Sequence, residues 1–213
     1  MAEGVDRGNE VMNGNEAQTA DYTLVPGVPR IFRGTTALIN EENELEVIFS
    51  REFSAPREIV FEAWTEPEHL SKWWGPHGYG VPTCTVDLRE GGSFYLEMES
   101  PEGELYPMTG RYVELVPPER IVYTEDMSEQ SPEWIDMLRS LSSASFNEED
   151  LLLTMTVLFD EVGTDRTRLR VITTFRSVGI RDAITSVGAP EGWAQSMERL
   201  EEMVSGGHAK SDD

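Results

Sequence analysis

The sequence predicts an α+β domain: a seven-stranded antiparallel sheet wrapped around a long C-terminal helix, with two short helices after the first strand. Three observations carry this expectation. Seven segments between residues 44 and 175 alternate apolar and polar side chains, the period of a half-buried strand. Clusters of Gly, Pro, Asp and Glu punctuate most of them as turns. The last thirty or so residues carry an apolar stripe at helical spacing, the one long helix available to cover such a sheet.

The elements follow in order. Residues 1–43 show little periodicity and are dominated by Gly, Asn, Glu and Pro, as in VPGVPR at 25–30, so most of this acidic arm is expected to be disordered. Ile31-Phe32 with Leu38-Ile39 is its one patch able to dock on the domain. Ordered sequence is expected from 44 to 205, with a disordered tail over 206–213. In ELEVIFSREF, 44–53, Leu45, Val47, Phe49 and Phe53 form one face. Ser54-Ala55-Pro56 reads as a helix start, with Ile59, Val60, Ala63 and Trp64 as its stripe. Thr65-Glu66-Pro67-Glu68 has the spacing of a capping box; Leu70, Trp73 and Trp74 follow at i, i+3 and i+4, and Gly75-Pro76 ends the helix.

Strands are expected at 81–88, 93–100, 105–116 and 120–126. Phe94, Leu96 and Met98 share a face in the second, and the parity change near Gly110 in the third suggests a bulge. Residues 127–150 interrupt the pattern and read as an insertion: SPEWIDMLRSL has the spacing of an amphipathic helix that can cross a pocket mouth, and a mobile loop without function fits the segment equally well. Residues 151–159 and 167–175 form a hairpin through Gly163-Thr164-Asp165. Ser177 caps the final helix, which Gly188-Ala189-Pro190 breaks or kinks before Trp193, Met197, Leu200 and Val204. A single long helix does not fill the concave side of a sheet this wide, so a cavity is expected beneath its flank, with the paired tryptophans near one end.

Composition narrows the function. Seventeen Lys and Arg against forty Asp and Glu leave a formal charge of −23, which repels phosphate backbones and anionic membranes; neither nucleic acid nor membrane is an expected partner. Cys84 is the only cysteine, so no internal disulfide or multi-cysteine zinc set exists within the sequence. The polar N-terminus lacks a charged-then-apolar leader, and the apolar runs are too short for a bilayer; a cytoplasmic location is expected.

The blocks SAPREIVFEAWTEPEHLSKWWGP, DLREGGSF, GRYVELVPPERIVYT and EGWAQSMERLEEMV, in this order, resemble homologues of the heat-shock protein 90 ATPase activator. That family lies in the helix-grip superfamily with the birch-pollen allergen, polyketide cyclases and lipid-transfer START domains. The resemblance runs from about 44 to 205 apart from the insertion. Trp73-Trp74-Gly75-Pro76 is among its most specific marks, with Gly91-Gly92 and Pro117-Pro118-Glu119-Arg120 in support. It implies binding of apolar small molecules in a cavity, without fixing a reaction. In the last helix the pattern typical of the family is Met-Glu-Glu-Gly-Trp. This chain has Ala189-Pro190-Glu191-Gly192-Trp193, which exchanges a pocket-filling methionine for alanine.

Candidate ligand contacts at the cavity or its mouth are Trp73, Trp74, His69, His77, Phe94, Leu96, Met98, Tyr112, Tyr123, Glu125, Trp193 and Met197. One indole of the pair belongs to the core; the other either joins it in a partly buried hydrophobic plug or offers the mouth a flat surface and an N–H donor. His69 and His77 flank the tryptophan pair but lack metal-ligand spacing, and neither a metal nor a cofactor is expected. Cys84 has no partner to lower its thiol pKa and reads as buried filler. Glu125 or Asp87, if inward, would have its pKa raised and be able to carry a proton; no catalytic residue is assigned.

Three functions follow from these features. The first is a module that binds a hydrophobic or aromatic small molecule. The second is an enzyme similar to polyketide cyclases or hydrolases, acting on a carbonyl compound. The third, from the family resemblance, is a co-chaperone with a heat-shock ATPase as partner. Pairing of two identical chains is compatible with the sequence but not required by it.

Overall fold

The computed structural model describes residues 22–25 and 31–206. Expectations for the rest of the arm and for residues 207–213 lie outside the described residues. The strands are β1 (Tyr22–Leu24), β2 (Ile31–Phe32), β3 (Thr35–Asn40), β4 (Glu46–Phe53), β5 (Gly80–Val86), β6 (Ser93–Glu99), β7 (Leu105–Val116), β8 (Arg120–Asp126), β9 (Leu152–Gly163) and β10 (Arg166–Thr174). They form one sheet in the order β1-β3-β4-β10-β9-β8-β7-β6-β5, with β2 paired to β3, and every pairing is antiparallel.

The seven expected strands are β4 to β10. The expected count is too low, because β3 adds an eighth strand of full length, and β1 and β2 add two short pieces. The arm's sequence conceals β3 among turn residues, yet Thr35, Ala37 and Ile39 alternate inward. Ala37 pairs with Phe49 and Ile39 with Val47, so β3 covers the edge of β4 that would otherwise stand open. Residues 35–40 are therefore a strand of the sheet and not part of a disordered arm.

Helices α1 (Arg57–Thr65) and α2 (Pro67–Trp73) follow β4 directly. Their starts differ from expectation. Pro56 and Glu66 occupy the N-cap positions without a side-chain bond, and Thr65 donates its hydroxyl back to the carbonyl of Phe61 at 3.0 Å. A threonine in the last turn of α1 satisfies a nearer acceptor than the amides of the next helix. The register shift of β7 lies between Tyr112 and Glu114, not at Gly110. Gly110 has a different cause: a Cβ there would stand 1.9 Å from the Thr124 carbonyl and 2.4 Å from the Phe94 ring, which lies across it.

Within the insertion, α3 (Pro132–Leu141) begins at Ser131, whose hydroxyl accepts from the Trp134 amide, and buries Ile135 and Leu138. The C-terminal helix is two helices, α4 (Val178–Ser186), capped by Ser177, and α5 (Ala189–Gly206). Gly188 between them has φ +108°, a backbone setting that favours glycine. Met197, Leu200 and Val204 on α5 are buried and join Val47, Phe49 and Phe53 of β4 in the core. Arg51, also on β4, pairs with Glu201 of α5 and donates to the Arg33 carbonyl, fastening the added edge of the sheet to the helix. No helix among the described residues is long and apolar enough to cross a membrane.

Candidate functional site

A cavity of about 390 Å³ lies between the sheet, the end of α2, the insertion and the break between α4 and α5. It is placed by where the helical cover fails. Val187, Gly188, Ala189 and Gly192 line it at the break, so the cover there consists largely of backbone and small side chains. Val47, Phe49, Leu153, Met155, Thr173 and Phe175 form its floor from β4, β9, β10 and the residue that follows β10. Trp134 and Met137 of α3, with Met127 and Gln130 before it, form the outer wall. Five of the nine methionines line the space, and their flexible thioethers let the wall fit more than one shape.

The paired tryptophans separate because the helix ends between them. Trp73 is the last residue of α2 and fully buried, donating its indole N–H to the Ala63 carbonyl at 2.8 Å. Trp74 has left helical geometry, with ψ 133°, and its ring turns into the cavity wall with its N–H 3.3 Å from the Met108 sulfur. Gly75 then takes φ +90°, and a Cβ there would approach the Met98 sulfur to 2.9 Å, so the turn requires glycine. Arg199 of α5 holds this turn. Its guanidinium donates to the carbonyls of Lys72, Trp74, Gly75 and Pro76 at 2.9–3.1 Å, satisfying acceptors that the helix end leaves open.

Trp193 on α5 completes the wall. It stacks on Trp64 with ring centres 6.1 Å apart and on Phe49 at 5.8 Å, and meets Trp74 edge-on at 5.4 Å. Trp64, Trp73, Trp74 and Trp193 therefore form one aromatic block that closes this end of the cavity.

Among the described residues the single carboxylate in the lining is Glu125 of β8, and no Lys, Arg, His or Asp joins it. Glu125 is 9% exposed. It stands in a cross-strand row with Phe94, Gly110 and Leu153, so its neighbours across the ladder are a ring, a bare backbone and an aliphatic chain. Burial pushes its carboxyl up to about 7. Tyr123, two residues earlier on the same face, has its hydroxyl buried without a partner, and burial together with Glu125 raises its pKa. On the neighbouring strand β7 the Tyr106 hydroxyl donates to Glu104, which with burial moves its pKa up to about 12.

The structure thus brings four of the sequence candidates to the cavity: Trp74, Met98, Glu125 and Trp193. Phe94, Leu96, Tyr112 and Tyr123 surround a much smaller hollow of about 20 Å³ nearer α2, and Trp73 and Met197 are core. His69 and His77 do not enter the site. His69 is partly exposed 3.7 Å from Glu62, and His77 is exposed with its Nε2 3.1 Å from Glu198. Asp87 is exposed and paired with Arg89. Cys84 is half-buried beside Leu96, and burial raises its thiol pKa. Among the described residues no group of three His, Cys, Asp or Glu side chains could hold a metal ion. The residues missed from sequence are chiefly those of the insertion, Met127, Gln130, Trp134 and Met137; the helical spacing of 132–141 was the one signal pointing to them.

An antiparallel sheet gripping a C-terminal helix over an internal cavity defines a helix-grip domain. Residues 54–205 match the family described as Activator of Hsp90 ATPase homolog 1-like protein, and the chain belongs to that family. Among solved structures, a protein from Nitrosomonas europaea is 27% identical with a TM-score of 0.63, over 78% of this chain and 97% of that one. One from Chromobacterium violaceum is 29% identical with a TM-score of 0.56, over 75% and 96%. An AHSA1 protein from Silicibacter pomeroyi, at 22% identity and a TM-score of 0.52 over 75% and 97%, shares the fold. No curated protein matches the sequence.

Proposed function

We propose that this protein binds a hydrophobic or aromatic small molecule inside the helix-grip cavity. The observation that carries the reading is the cavity itself: about 390 Å³, within the usual range for small-molecule sites, walled by Trp74, Trp193, Phe49 and five methionines, with Glu125 as the one carboxyl group among the described lining residues. Apolar walls supply affinity through burial, and a few polar groups orient what is bound. The test is a titration with the neutral aromatic probe N-phenyl-1-naphthylamine, followed by quenching of tryptophan emission. Saturable one-to-one binding that Trp74→Ala weakens is expected. A linear, unsaturable response would remove the reading. Mass spectrometry of molecules extracted from the purified protein then names the natural ligand.

Glu125 favours a second reading, an enzyme that moves a proton on a bound carbonyl compound. A carboxyl whose pKa lies near neutrality can both give and take a proton at that pH. This reading expects the protein to speed deuterium uptake from solvent at the α-carbon of an aromatic ketone, and Glu125→Gln to abolish that exchange. A wild-type rate equal to buffer alone sets the enzyme aside and leaves the binding module.

A further inference from the structure

We infer that the cavity selects an organic cation, a lipophilic amine whose ammonium group meets the Glu125 carboxylate while its apolar body lies among Trp74, Trp134 and Trp193. The inference rests on the binding reading above and specifies the chemistry of its ligand.

Glu125 is more than nine-tenths buried and lines the cavity, and no described residue donates a hydrogen bond to its carboxyl group. A buried carboxylate without a donor is costly, and the lining supplies neither a lysine nor an arginine nor a histidine to relieve it. The guanidinium of Arg199, on the α5 side, is committed to four carbonyls of the tryptophan turn. The titratable groups around Glu125 are tyrosines: Tyr123 on its own strand, Tyr106 on the neighbouring strand β7 of the same sheet, and Tyr79 just before β5. A phenol can donate one hydrogen bond but cannot neutralise the charge. Below about pH 7 a proton relieves the carboxyl; above it, a cationic ligand supplies the partner that the lining lacks.

Three further features point to a cation. Indole faces attract positive charge, and three tryptophans line this space. The chain's formal charge of −23 raises the local concentration of cations and lowers that of anions. A carboxylate ligand would face Glu125 with nothing between them to neutralise either charge. A neutral ketone, a pure acceptor, can bond only to the protonated form of Glu125, so its pH dependence has the opposite sign; an alcohol can donate to the carboxylate or accept from the acid, so its affinity changes little with pH.

That difference gives the test. The free cavity pushes Glu125 up to about 7. An ammonium ligand needs the ionised form, so its affinity rises with pH below that value, by about tenfold per pH unit, and levels above it. The full-length protein is titrated with 2-naphthylmethylamine, 2-naphthylmethanol and 2-naphthoate from about pH 5 to about pH 8, and again as Glu125→Gln. The amine should bind about 10- to 100-fold more tightly than the alcohol at the upper pH. It should strengthen with pH, and lose its advantage to within about threefold in the variant. The wild-type pH series stands whether or not the variant folds. Equal or tighter binding of the alcohol or the acid, or an amine affinity that falls as pH rises, overturns the inference. If all three fail while N-phenyl-1-naphthylamine binds, the inference falls and the binding reading stands. If that probe fails as well, the binding reading itself falls.

Discussion

The two ends of the helical cover meet the same sheet and do opposite things to it. Under α1 and α2, four tryptophans pack edge to face and face to face, and the space left among Trp64, Leu70, Phe94 and Tyr123 is about 20 Å³. At the break between α4 and α5 the cover is Val187, Gly188, Ala189 and Gly192, flanked by Ile184, Thr185 and Trp193, and about 390 Å³ stays open. The strand faces differ too, with Phe94, Tyr112 and Tyr123 at the packed end and Val47, Leu153, Met155 and Thr173 at the open one. Large rings from both layers fill the first region, and the small residues at the break help leave the second open.

The sharpest way to break this comparison is to hollow the packed end. Trp73→Ala removes a fully buried indole and orphans the Ala63 carbonyl it bonds. A loss of about 3–5 kcal/mol in urea unfolding is expected. Trp74→Ala only widens a space that already exists, and should cost about 1–3 kcal/mol while weakening probe binding. Equal losses from the two would mean that the adjacent indoles do the same work.

The second test concerns the charge that the open end buries. Glu125 has a folded pKa near 7 against an ordinary value of 4.5, so the folded state holds a proton that the unfolded chain has released. Stability contributed by this group is greatest at low pH and falls as pH rises from about 4.5 to about 7, by about 3 kcal/mol in all, then levels. The quantity to measure is the stability of the wild type minus that of Glu125→Gln in urea series across that window, which removes the contribution of the other carboxylates. A difference that does not change with pH would show that Glu125 is solvated.

A smaller effect is expected at the hinge between the two regions. Arg199→Met keeps the packing of the side-chain stem and deletes four bonds to the carbonyls that follow α2. About 2 kcal/mol of stability should be lost. Because the same bonds fix the turn that carries Trp74, N-phenyl-1-naphthylamine should bind more weakly as well. Loss of stability without any loss of binding would separate the turn from the site.

Strand periodicity made most of the sheet readable from sequence, because alternation in segments such as RIVYTED marks one buried face regardless of what covers it. It could not say which inward residues meet the cavity. Tyr123 and Glu125 share that face, yet one sits under the packed end and the other under the open one. That choice is made by α2 and α5, whose positions depend on contacts far apart in sequence. His69 and His77 misled for a related reason: nearness in sequence to the tryptophan pair carried them to the outer side of α2 and beyond its end, where Glu62 and Glu198 receive them. β3 was hidden because six alternating residues sit in a stretch rich in turn formers, and only pairing with β4 settles them as strand.

The finest test places at the break the methionine that the resemblance implies there. Ala189 begins α5 and lines the cavity, so Ala189→Met projects a flexible apolar chain into the open space without changing the helix start or the Gly188 turn. Methionine is a good helix former and has room, so stability should change by less than about 1 kcal/mol. Binding should respond differently. Filling the space at the break leaves a ligand less of the wall between Val187 and Trp193, and the affinity for N-phenyl-1-naphthylamine should fall about tenfold. A gain in stability with unchanged affinity would place the ligand deeper, toward Phe175 and Leu153. The small residues at the break would then be packing defects and not the feature that makes this cavity a site.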